Sequence, residues 1–104
     1  MRFDDFDNPL ALEIKQEIAS SYFTACQKMV NALEALKAFD LSRDRYSSQS
    51  QAMTRRVELL ENAAERVYFV IIQREAMNFP HYEPFFENYE IPDEVRQRLG
   101  PRRR

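Results

Sequence analysis

Residues 9–39 read PLALEIKQEIASSYFTACQKMVNALEALKAF, and the spacing of their apolar members decides the fold. No Gly interrupts the run and no Pro follows its first residue. Ala11 and then Ile18, Tyr22, Ala25, Met29, Ala32, Leu36 and Phe39 recur, in steps of three and four after Ile18, which puts them on one face of an α-helix. Asn8 suits the N-cap, and Pro9 suits the first helical position because the N–H it lacks would have no intrahelical partner there. The spacing predicts a helix over 9–39. Phe23, Cys26, Val30 and Leu33 widen its apolar stripe beyond what a two-stranded coiled coil needs, so this helix is expected to touch more than one neighbour.

Working outward, residues 40–47 are polar, and Ser42, Ser47, Ser48 and Ser50 can each cap a helix, which places a turn at about 40–47. The seam resumes at Met53, Val57, Leu60, Ala64, Val67 and Ile71 and predicts a second helix over about 48–78, stopped by Pro80. Equal rise on both helices around a turn centred near residue 44 or 45 sets Ile71 against Ile18 and Val67 against Tyr22. Ala64 then faces Ala25, Leu60 faces Met29, Val57 faces Ala32 and Met53 faces Leu36. Large often meets small, as interdigitating layers require. Val67 to Ile72 is rich in β-formers, but helix formers flank it and no second strand exists for it to pair with, so it reads as helix.

Phe79, Tyr82, Phe85, Phe86 and Tyr89 crowd the segment 79–91, which Pro80, Pro84 and Pro92 punctuate. Aromatic side chains bury large areas and a two-helix hairpin leaves a face uncovered, so this segment is expected to lie back across the hairpin as a lid, offering an apolar pocket or interface. Pro92 with acidic residues at its start, and Gly100 and Pro101 at its stop, mark a short helix over 92–99, followed by a frayed tail at 100–104. The fold expected is all-α and a single domain over 1–104: an antiparallel long-helix hairpin with an aromatic-rich C-terminal segment and a short terminal helix. The stretch Val70-Ile71-Ile72-Gln73-Arg74-Glu75-Ala76, followed by Asn88-Tyr89-Glu90-Ile91-Pro92-Asp93-Glu94-Val95 and then Leu99-Gly100, resembles a family of short uncharacterised proteobacterial proteins. That resemblance spans roughly the last third of the chain and implies a bacterial origin and a helical fold, with no activity to carry over.

Charge and composition exclude several function classes. Seventeen acidic and fifteen basic residues give a net charge of -2, and no segment is a basic domain of the kind that binds phosphate backbones. Arg55-Arg56 and Arg102 to Arg104 are the only candidates for nucleic-acid contact, which is therefore not expected to be the main activity. The longest apolar run, Val67 to Ile72, is far short of the roughly 20 residues a membrane-spanning helix needs. An acidic N-terminus without a signal-peptide pattern and a single cysteine, Cys26, point to a reducing, cytoplasmic setting. His81, Glu83 and Glu87 lie among prolines and have no second ligand cluster, so neither a metal nor another cofactor is expected. Cys26 reads as a small buried thiol, and it has no spacing relation to His81 that would make a nucleophile and base. Glu58, Glu61 and Glu65 read as outer-face helical neighbours of Arg55 and Arg66.

Arg74 is the most informative polar residue, because it falls on the next seam step after Ile71 and so points inward or to the margin. The expected register sets it near Lys15, and a half-buried arginine requires a partner, so an ion pair with Glu17 or Glu13 is predicted. Two helices of about 45 Å each carry more apolar stripe than one short segment covers, which predicts a homodimer forming a four-helix bundle. The function this supports is a non-enzymatic helical interaction or assembly protein. The alternatives are an effector-binding regulator with an aromatic-lined pocket and contact with nucleic acid through arginines.

Overall fold

The computed structural model describes residues 9–42, 48–79 and 81–100, and these are helical with no strand among them. Helix α1 spans Pro9–Leu41, α2 spans Gln49–Ala76, α3 spans Tyr82–Asn88 and α4 spans Asp93–Arg96. α1 and α2 form an antiparallel hairpin, and the α3–α4 segment folds back so that α4 lies against α2. The long helices begin and end close to the expected points, with α1 running two residues further, to Leu41. The aromatic segment, for which no helix was expected, winds into the short α3, and α4 covers only four residues in the first part of the expected 92–99. Most of the expected turn, and the tail beyond Gly100, fall outside the described residues.

Local chemistry sets these boundaries. Ser48 is extended and its Oγ accepts a hydrogen bond from the Gln51 backbone N–H at 3.1 Å, capping α2. α2 stops at a left-handed residue, Asn78 (φ 64), whose N–H donates to the Glu75 carbonyl while the Phe79 N–H donates to the Arg74 carbonyl. This is the usual closure for a helix terminus, and asparagine tolerates it well. α3 closes in the same manner, with the Ile91 N–H bonded to the Phe86 carbonyl, but there the left-handed residue is Glu90 (φ 51), which favours that conformation far less.

The core is one cluster built from three elements. α1 contributes Ala25, Met29, Ala32, Leu36 and Phe39. α2 contributes two buried rows: Leu60, Ala64 and Val67 continue the seam toward α1, while Ala52, Leu59, Ala63 and Val70 lie about a quarter turn around the helix. Phe85, Ile91 and Val95 from the lid complete the cluster, which accounts for the second row. Met53 and Val57, expected in the seam, are instead 55% and 42% exposed, and Ile18 is also exposed. The early part of α2 turns Ala52 and Leu59 inward instead, which leaves Met53 and Val57 outside the core.

Candidate functional site

The lid meets the hairpin around Arg74. Its Nη1 donates to the Tyr22 hydroxyl at 3.0 Å, its Nη2 donates to the His81 carbonyl at 3.3 Å, and its guanidinium lies over the Phe85 ring, 4.8 Å from the centroid. Its Nε is buried and has no hydrogen-bond partner. Arg74 therefore points inward as expected, but neither Glu17 nor Glu13 is its partner: two neutral oxygens and an aromatic face take their place. The reason lies in how helical side chains lean. Every side chain tilts toward the N-terminus of its own helix, so Arg74 reaches toward the closed end of the hairpin, whereas a glutamate on α1 leans away from it. Arg74 thus meets Tyr22, about two turns from the Lys15 position that equal rise alone would select. Gln73 shows the same displacement, donating to the Ser21 hydroxyl at 3.3 Å.

Tyr22, Cys26 and Tyr89 surround this contact. Burial raises the Tyr22 phenol above its ordinary 10; the hydrogen bond from Arg74 opposes the rise, and the neighbouring Cys26 thiol adds to it. Burial also raises Tyr89, with Cys26 and Tyr22 contributing. Both phenols stay neutral at neutral pH, so the Arg74 charge faces dipoles and a π-face rather than an anion. The arrangement fixes the lid and supplies no proton acceptor beside Cys26, which is half-buried rather than fully enclosed.

The five aromatics of the segment take different roles. Phe85 is in the core, with its ring 5.6 Å from that of Phe86 and 5.3 Å from that of Tyr89. Tyr82 donates its hydroxyl to Glu75 at 2.6 Å, and Arg96 covers the Phe86 ring at 4.4 Å while bonding Glu83 at 3.1 Å. Phe79 and Tyr89 are exposed. Glu83, one of the residues weighed as a metal ligand, is thus engaged by an arginine.

A second fastening was not anticipated. Arg56 on α2 donates to Asp40 on α1 through Nε (2.9 Å) and Nη2 (3.2 Å), and to Glu94 on α4 through Nη1 (2.7 Å) and Nη2 (3.0 Å). One planar guanidinium thereby holds three helices together, a geometry that its fork of donors suits. Arg56 holds the Glu94 carboxyl below the usual carboxylate range, and Glu94 and Asp40 together hold Arg56 charged. The available signal was that Arg56 lies four residues after Ala52 and seven before Ala63, on the row that the lid covers.

On the other flank a groove of about 1370 Å³ runs between Ser21, Ala25 and Lys28 of α1 and Glu61, Ala64, Phe69 and Ile72 of α2, with Gln97 to Gly100 after α4 also lining it, and none of the five lid aromatics does. Leu10 and Ile14 border a recess that shares Glu17 and Ser20 with this groove, which places them on the same flank. Phe69 and Ile72 are large exposed apolar groups in its lining, beside small and hydroxylated residues. No protein-family model, curated protein or solved structure matches the chain.

Proposed function

We propose that this protein is a non-enzymatic helical assembly module that pairs with a second copy of itself to form a four-helix bundle. The observation that carries this reading is the groove between α1 and α2, where Phe69 and Ile72 are exposed and beside which Leu10 and Ile14 are exposed too. Large apolar groups exposed beside a groove mark a surface that another molecule can cover. The Arg74 cluster fits a structural role, since its donors point at the protein's own oxygens. Contact with nucleic acid has less support, because Arg55, Arg56 and Arg96 each pair with a carboxylate. The single cysteine and balanced charge suit a reducing, cytoplasmic compartment.

The test is the absolute mass by light scattering over a dilution series at low and high salt. A mass twice that of the 12.4 kDa chain, stable to salt, is expected of an apolar pairing surface. A mass of one chain at every concentration refutes the reading.

A further inference from the structure

Beneath the lid, α2 carries a seam more regular than its cover. We infer that this seam is a docking surface for an acidic amphipathic helix of another protein, and that the lid is its releasable internal stand-in. The inference goes beyond the assembly reading and stands whether or not two copies pair. Ala52, Arg56, Leu59, Ala63, Arg66 and Val70 follow one another in steps of four, three, four, three and four. That alternation is the spacing along which one helix receives another, and here it runs for about 27 Å. Its four apolar members are buried and its two arginines half-buried. The lid brings to it only the seven residues of α3 and the four of α4, about 10 Å and 6 Å of helix, separated by the left-handed Glu90.

The lid imitates half of such a partner. Ile91, Val95 and Leu99 recur at steps of four and pack into the core cluster, and Glu94, beside Val95, pairs with Arg56. Arg66, ten residues further along the row, makes no hydrogen bond or ion pair with any described residue. The seam therefore holds a second cation that the lid leaves unanswered, and a longer helix with two carboxylates about 15 Å apart answers both.

Release is built into the way the lid is held. The bonds from Arg56 to Glu94, from Tyr82 to Glu75 and from Arg74 to the His81 carbonyl all lie at exposed sites, where water competes for them. The lid follows the left-handed Asn78, and α3 joins α4 through Glu90, whose left-handed backbone a non-glycine residue holds at a cost. Opening lets Glu90 relax and leaves Met29, Leu60 and Val67 packed between α1 and α2.

Hydrogen exchange and peptide binding on the full chain test this. The amides of Ile91, Val95 and Gln97 bond to carbonyls within the lid, whereas Met29 and Val67 lie in the buried seam of the hairpin. The three lid amides are expected to share one protection factor, at least about tenfold below those of Met29 and Val67. Glu94→Gln is expected to lower it about two- to fivefold without moving the hairpin values. A protection factor common to lid and hairpin overturns the release, as do unrelated lid values indifferent to Glu94→Gln. The binding probe is a fluorescein-labelled peptide of residues 81–100, read by anisotropy. Val95→Asp, which takes the chain's own lid off the row, is expected to bind the peptide at least about tenfold more tightly than wild type, because the tethered competitor is gone. Adding Arg56→Glu is expected to abolish the gain. Equal affinity for wild type and Val95→Asp, or no binding to either, overturns the docking surface. Loss of the helical circular dichroism signal in Val95→Asp overturns the lid as a separable cover.

Discussion

Replacing Arg56 by methionine keeps the apolar stem and removes the charge, and is expected to loosen the attachment of the lid. Arg56 makes four hydrogen bonds of 2.7–3.2 Å, to carboxylates that are about half exposed: side-chain accessibility is 42% for Asp40 and 55% for Glu94, against 23% for the arginine. Ion pairs this accessible contribute about 0.2–1 kcal/mol each. Two pairs sharing one well-oriented guanidinium therefore give a loss of about 1–2 kcal/mol, or roughly 4–8 °C of melting temperature per kcal/mol in a domain of this size. Urea unfolding followed by circular dichroism measures the loss, and its pH dependence tests the cause. Glu94 has its folded pKa depressed, chiefly by the Arg56 hydrogen bond, so its contribution is present above the ordinary value of 4.5 and disappears as pH falls through the folded value. The gap between wild type and Arg56→Met should persist from neutral pH down to the ordinary carboxylate range and close below it. A gap that stays constant into strong acid, or that is under about 0.3 kcal/mol at neutral pH, would refute the assignment of Arg56 as the clamp.

Met29→Ala empties a fully buried position in the middle of the seam and is expected to cost about 2–5 kcal/mol, read as a lower urea midpoint. Glu90→Gly relieves a left-handed backbone that glycine adopts freely, and should raise the melting temperature by an amount equivalent to about 1 kcal/mol. Arg74→Met retains a flexible side chain against Phe85 and removes a cation that has no anionic partner, so stability should change by less than about 1 kcal/mol. Glu17→Ala should then change it by less than about 0.5 kcal/mol, whereas a loss of several kcal/mol from either variant would restore the ion pair that the sequence suggested. At high pH the sign reverses relative to Glu94: Tyr22 and Tyr89 have raised folded values, so the stability they contribute is present below pH 10 and is lost as they ionise above it. Spectroscopic titration of the phenols in folded and urea-unfolded protein should show them ionising later in the folded state.

The hairpin was legible because its cause is periodic. Tyr22, Ala25, Met29, Ala32, Leu36 and Phe39 repeat at helical spacing with no Gly or Pro to interrupt them, and all but the half-buried Tyr22 are buried in the core. Lid closure was legible from the density of aromatics after a helix stop, although the helical turn at Tyr82–Asn88 was not, since Pro80 and Pro84 masked a short helix that Phe85 anchors to the core. The polar contacts were not legible. Arg74 was correctly read as inward-facing but was given the wrong partner, because a register counted in Cα positions ignores the lean of each side chain, and an arginine multiplies that lean by its length. Arg56 was read with Arg55 as a candidate for nucleic-acid contact because its two carboxylates lie 16 and 38 residues away, separations that local pattern does not reach.

Met53 and Val57 show a second limit of the helical pattern. α2 carries two buried rows, Leu60, Ala64 and Val67 toward α1 and Ala52, Leu59, Ala63 and Val70 on the lid-covered side, while Met53 and Val57, one heptad before Leu60 and Ala64, are exposed. Helical period alone cannot decide which adjacent row faces α1, since neighbouring rows differ by less than a third of a turn. The lid decides it. Ala52 and Leu59 join one core cluster with Ile91 and Val95 of the lid, so at the start of α2 the buried face is the lid-covered row, and Met53 and Val57 are left exposed.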